Sequence, residues 1–171
     1  MYYDVINASH YGIPQSRERV YFVCIKKGSG IQYHKPRATH QAVYLDTILL
    51  DNTHCSDLII NRQDIVLHAN ATTPQLKPIR IGYVNKAQQG EHIYSTKGHA
   101  ITIAATTGGV GANTGLYLVD GKIRRLHIDE CKQVMGFSKR HKVMMGRGGY
   151  KQLGNAVIPA LVERVFSGLI I

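Results

Sequence analysis

The chain has 171 residues, 44% of them hydrophobic, with 21 Lys and Arg against 11 Asp and Glu and a formal charge of +10. That length holds one domain, or one small domain with part of another, and no apolar run approaches the ~20 residues of a membrane span. The opening MYYDVINASH lacks the basic and apolar regions of a signal peptide, so the cytoplasm is the expected compartment, and the excess of cations points to a polyanionic partner, nucleic acid first.

Tyr2 to Ala8 reads as a strand, and Ser9 to Arg19 as a loop with Gly12 and Pro14 as turn residues. Val20 to Ile25 is an unbroken apolar run, the pattern of a strand buried on both faces. Arg17 and Arg19 therefore fall just past the end of the first strand, where α/β sheets bind their ligands. Their guanidinium groups suit an anion or a carbonyl oxygen. Lys26 to His40 is a polar connector, and Leu45 to Leu50 a short helix or turn. From residue 78 to 119, short β-rich runs alternate with glycines: Ile79 to Val84, His92 to Tyr94, Ala100 to Ile103 and Leu116 to Val119. This pattern predicts a small twisted β domain with two exposed loops. Ile128 to Met135 is a helix started by Asp129 and Glu130 and stopped by Gly136. Asn155 is the expected N-cap of a last helix, with Pro159 in its first turn.

Gly108 to Gly115 has the glycine content of a phosphate loop. No Gly-Lys-Ser/Thr follows it, so flexible turns are the better reading. Cys24, Cys55 and Cys131 form no C-x-x-C pair and exclude a disulfide framework or a zinc centre; Cys24 and Cys131 are expected as buried small hydrophobes, and none of the three as a nucleophile. Lys97, Lys122, Arg124 and Arg125 are candidate phosphate contacts.

Three segments together identify a family. YGIPQSRERVYFV (residues 11–23) resembles the Q-x-R-x-R block of the DNA cytosine-5 methyltransferases. RRLHIDECKQVMGF (124–137) resembles that family's R-x-L-[TH]-x-x-E block, and YKQLGNAVIPALVERV (150–165) its closing G-N-[SA]-V block. Their order matches, and the region between the first two has the size of a target-recognition domain. Within it, IRIGYVNKAQQGEHIYSTKGHAITI (79–103) is similar to the members that recognise GCGC.

The resemblance implies an α/β fold. It would be the end of a mixed methyltransferase sheet (1–46), an inserted small β target-recognition domain (47–127), and a hinge and closing helix (128–171). It implies transfer of methyl from S-adenosylmethionine to C5 of a cytosine flipped out of duplex DNA. Arg19 falls where the family binds the cytosine O2 as charge builds on the ring, and Arg17 where it supports that geometry. Asn155 and Ala156 fall beside the methionine end of the cofactor; the family more often has Ser at the second position, and Ala156 offers its backbone N–H. Gln89 matches a glutamine that enters the gap left by the flipped base. Arg80, Lys86, Glu91, His92, Thr102, Ile103 and Thr106 complete the matched DNA contacts, and no metal is implied. His92 stands where GCGC readers have an arginine and Thr106 where they have a tyrosine. Histidine cannot clasp guanine O6 and N7 bidentately, so a target other than GCGC is expected.

The family's cofactor loop, Pro-Cys nucleophile and Glu-Asn-Val base have no match here, and no Pro-Cys dipeptide occurs. The expectation is a part or subunit, inactive alone, that needs an N-terminal catalytic half bearing Pro-Cys, with double-stranded DNA as substrate. The alternative is a non-catalytic DNA-binding remnant.

Overall fold

The computed structural model describes residues 1–68, 73–106 and 108–170. The first two strands, β1 (Tyr2–Asn7) and β2 (Glu18–Val23), pair antiparallel with Val5 opposite Val20 and Tyr3 opposite Phe22. Side chains alternate along a strand. One face of the hairpin turns Ile6 and Tyr21 inward, and the other leaves Tyr3, Val5, Val20 and Phe22 exposed. This corrects the expectation of a strand buried on both faces, because nothing among the described residues covers the hairpin's outer side. Cys24, just beyond β2, is exposed for the same reason, whereas Cys55 and Cys131 are buried and burial pushes both thiols up.

The connector contributes β3 (Gln32–Tyr33), which pairs antiparallel with β9 (Leu169–Ile170) and so holds the last described residues against it. The middle of the chain forms a five-stranded sheet in the order β4 (Val66–Leu67), β5 (Ile79–Tyr83), β6 (His92–Ser95), β7 (Leu116–Val119) and β8 (Lys122–Arg124). Its neighbours are antiparallel except β6 and β7, which run parallel. Ile81, Val84, Ile93, Leu116 and Ile123 give this sheet a core of its own, separate from the larger cluster around Leu126, Ile128 and Met135. The expected Ala100–Ile103 run forms no strand. Its amides are drawn to other partners: Ala100 to the Pro14 carbonyl, and Ile101 to the Tyr117 hydroxyl.

Three helices close the fold: α1 (Ile128–Val134), α2 (Arg147–Asn155) and α3 (Pro159–Phe166). In α1 a capping box joins His127 and Glu130, and Gly136 follows at φ 72°. Asn155 ends α2 rather than capping α3, whose cap position is Ile158 and whose first turn carries Pro159.

Glu130 does more than cap. Its carboxylate takes both Arg124 Nη atoms, at 2.9 and 2.7 Å, and both side chains are 0% exposed. Leu50 N–H and His127 N–H also donate to it. Burial pulls the Arg124 pKa down, but the Glu130 hydrogen bonds and charge outweigh it, so the net shift is upward. Arg124 is therefore an internal strut and not a phosphate contact. Lys97 is likewise engaged, with Asp46 at 2.8 Å.

Candidate functional site: a cationic loop against two recognition segments

The loop between β1 and β2 holds Gln15 to Arg17 against the 100–103 segment. Ser16 N–H donates to the Ala100 carbonyl, and the Thr102 hydroxyl donates to the Ser16 carbonyl at 2.7 Å. Arg17 binds the layers together. It is 4% exposed, and its guanidinium donates to the carbonyls of Ile103 (3.3 Å), Gly154 (2.9 Å) and Ala156 (2.7 Å). Burial, and then the neighbouring Arg19, pull its pKa down to about 10. One side chain thus joins the arginine loop, the Thr102–Ile103 pair and the end of α2, three segments far apart in the sequence.

Gly154 makes that junction possible. A Cβ there would lie 2.4 Å from the Ala105 amide nitrogen, closer than atoms can approach. Arg19, two residues from Arg17, points the other way: it is exposed, and its hydrogen bond is to the carbonyl of Glu18. It is the cation of the loop left open to a ligand. Asn155 is exposed at the α2 end, while the Ala156 N–H is taken by the Leu153 carbonyl. The backbone donor expected at Ala156 is therefore already used.

Beside this junction, two loops of the five-stranded sheet lock together. The Asn85–Gly90 turn carries positive φ at Asn85, Ala87 and Gly90. Glu91, 6% exposed, accepts from Asn85 Nδ2 at 2.7 Å and Gln88 N–H at 2.8 Å, and these bonds hold its pKa below the usual value. The turn in turn presents Lys86 and Gln89 to solvent. Gly111 N–H donates to the Gly90 carbonyl at 2.8 Å, and a Cβ on Gly111 would lie 2.6 Å from that oxygen.

Of the eight side chains matched to DNA contacts, Arg80, Lys86, Gln89 and Thr106 are exposed, and His92 and Thr102 are half-buried. Glu91 and Ile103 face inward: Glu91 braces the turn, and Ile103 is core. His92 stands near Arg80; burial and then that cation lower its pKa, so it is neutral near pH 7.

A cleft of about 940 Å³ opens between the 105–113 loop and α2. Its lining includes Thr106, Gly108, Gly109, Arg125, Arg147 and Lys151. In sequence, Gly146–Tyr150 just before Lys151 reads as a flexible basic link open to close approach of a ligand; in the fold Arg147 and Lys151 instead belong to α2. The signal for them is the absence of any Asp or Glu between Glu130 and Glu163. Among the described residues no cluster of His, Cys, Asp or Glu could hold a metal ion, and no helix is long and apolar enough to cross a membrane.

The fold matches that of about half of two solved chains. It aligns with the crystal structure of S. pombe Dnmt2 methyltransferase at a TM-score of 0.61 and 14% identity, covering 96% of this chain and 54% of that one. It aligns with the Entamoeba histolytica methyltransferase EhMeth at 0.56 and 17%, covering 97% and 53%. The sequence narrows this further. The model of the C-5 cytosine-specific DNA methylases matches residues 1–170, and the chain belongs to that family. It is 43% identical to the type II methyltransferase M.HhaI of Haemophilus parahaemolyticus over 166 residues, 94% of this chain and 50% of that protein. To M.MspI of Moraxella sp it is 27% identical over 173 residues, 96% of this chain and 37% of that protein. The chain thus spans about half the length, or less, of the curated relatives it matches.

Proposed function

We propose that this chain is the C-terminal part of a type II DNA cytosine-5 methyltransferase, supplying one wall of the cytosine pocket and the surface that reads the target. The carrying observation is the junction at Arg17, which ties the arginine loop to the carbonyls of Ile103, Gly154 and Ala156 while Arg19, two residues on, stays exposed. A fixed cation at a site of developing negative charge is a large catalytic term. In this reading Arg19 meets the cytosine O2, Arg17 is a positioning residue, and Gln89 at the tip of its braced turn enters the duplex. Residues 47–127 are the recognition domain, reading duplex DNA with Arg80, Lys86, His92 and Thr106.

The nucleophile comes from an N-terminal half bearing Pro-Cys. The exposed hairpin face supports that partner: Tyr3 and Phe22 are 68% and 65% exposed, and Phe22 shares a groove of about 430 Å³ with Val162 and Phe166. Apolar surface of this extent marks an interaction site. S-adenosylmethionine, the family's methyl donor, fits this chain only at an edge. The Ala156 N–H and C=O are both engaged, which leaves the Asn155 side chain and neighbouring apolar surface. The cofactor is therefore bound mainly by the other half, and this chain alone is inactive.

The test is co-expression with a Pro-Cys half, followed by bisulfite mapping of methylated cytosines. Methylation only when both are present is expected, at a site other than GCGC. Methyl transfer by the isolated chain would overturn the split reading, and DNA binding without methylation in any pairing would favour a binding remnant.

A further inference from the structure

From Cys131 to Val162 the chain carries six Lys and Arg and no acid. Lys132 pairs with Asp129 at 2.7 Å. Lys139, Arg140, Lys142, Arg147 and Lys151 are all exposed, and among the described residues none of the five enters an ion pair. Elsewhere, Lys35 is held by Asp4, Arg62 by Asp64, Lys97 by Asp46 and Arg124 by Glu130. Arg147 and Lys151 are four apart on α2, hence on one face, and both line the 940 Å³ cleft. Gly108 and Gly109 line the same cleft, and their missing side chains admit close approach of a backbone. Asp57 is the cleft's one acid among the described residues.

We propose that this cleft seats the phosphate backbone of duplex DNA, with Arg147 and Lys151 as its positioning cations and Lys139, Arg140 and Lys142 extending the contact over flanking DNA. The inference rests on the duplex-DNA reading above and adds where the sequence-independent part of binding resides. These five side chains face phosphates and not base edges, so they set register and salt dependence without choosing the target.

The experiment is anisotropy of a labelled duplex with the full chain, between about 50 and 200 mM salt. Each lost phosphate contact lowers the log–log slope by about 0.9. R147Q/K151Q should therefore reduce it by roughly 1.8, and each single change by about half of that. All the replaced side chains are exposed, and circular dichroism checks that the variants fold. K26Q/K27Q, which removes equal charge from the exposed connector, should leave the slope unchanged. Wild-type binding with the same slope in R147Q/K151Q would overturn this inference alone. An equal drop in K26Q/K27Q would also overturn it, by showing diffuse charge. Failure of the wild-type chain to bind duplex at the lowest salt would instead sink the DNA reading beneath it.

Discussion

Replacing Arg17 with methionine removes the donor to the carbonyls of Ile103, Gly154 and Ala156 at once. An acceptor left unpaired in a buried place costs about 1–3 kcal/mol. The bonds at 2.9 and 2.7 Å count in full and the one at 3.3 Å is marginal, so the loss is about 2–6 kcal/mol. Against it stands the cost of burying the cation. Burial, and then Arg19, pull the Arg17 pKa down to about 10; methionine avoids that penalty, which sets the net loss at the low end of the range. The net expectation is about 2 kcal/mol, a fall in Tm of roughly 4–8 °C for a chain of this size. Arg19→Met touches an exposed side chain and should change stability by less than about 0.5 kcal/mol. In the assembled enzyme it should nevertheless reduce methyl transfer by about 10²–10³. Thermal and urea unfolding by circular dichroism, with methylation measured in parallel, separates the two arginines. Equal stability losses in both variants, or full activity in Arg19→Met, would refute the division of labour.

Glu130→Ala strands the buried Arg124 charge and frees two backbone N–H groups. It should cost about 3–5 kcal/mol, while R124M/E130L should cost clearly less than either single change; a double-mutant cycle by urea unfolding checks this. Gly154→Ala forces a Cβ against the Ala105 backbone and should cost about 1–3 kcal/mol, with faster amide exchange at Ala104 and Ala105. Glu91 titrates below the usual value because Asn85 and then the Gln88 N–H hydrogen-bond its charged form. Its support of the 85–91 turn is complete above the ordinary carboxylate pKa of about 4.3 and disappears as pH falls through the depressed one. Exchange at Gln88 should accelerate beyond the intrinsic trend on acidification, and Glu91→Gln should abolish that pH dependence; a turn equally protected at low pH would contradict the assignment.

Some of the fold was legible because local chemistry and tertiary structure agree. Asp129 and Glu130 at the start of α1 and Gly136 after its end mark a helix by capping alone, and the helix runs from Ile128 to Val134. Helix α2 was not legible, because Gly148, Gly149 and Gly154 are poor helix formers. Their reason is packing: a Cβ on Gly149 would meet the Met144 carbonyl oxygen, and one on Gly154 the Ala105 backbone. The residues that argue against a helix are those that let this one approach its neighbours. Arg17 and Arg19 show the same limit. Strand alternation would put residues two apart on one face, yet Arg17 precedes β2 and turns into the core, whereas Arg19 lies within β2 and stays exposed. Spacing alone could not separate their roles.

The charge of +10 behaves likewise. As composition it suggests a polyanion but names no surface. In the fold, Arg17 and Arg124 are used internally, and Lys35, Arg62, Lys97 and Lys132 are held by carboxylates. Lys139, Arg140, Lys142, Arg147 and Lys151, which enter no ion pair among the described residues, share the acid-free stretch around α2. Six of the 21 cations thus cannot be counted as free phosphate contacts, and the salt slope of binding should fall well short of what net composition would suggest. It should depend on which lysines and arginines are removed rather than on how many.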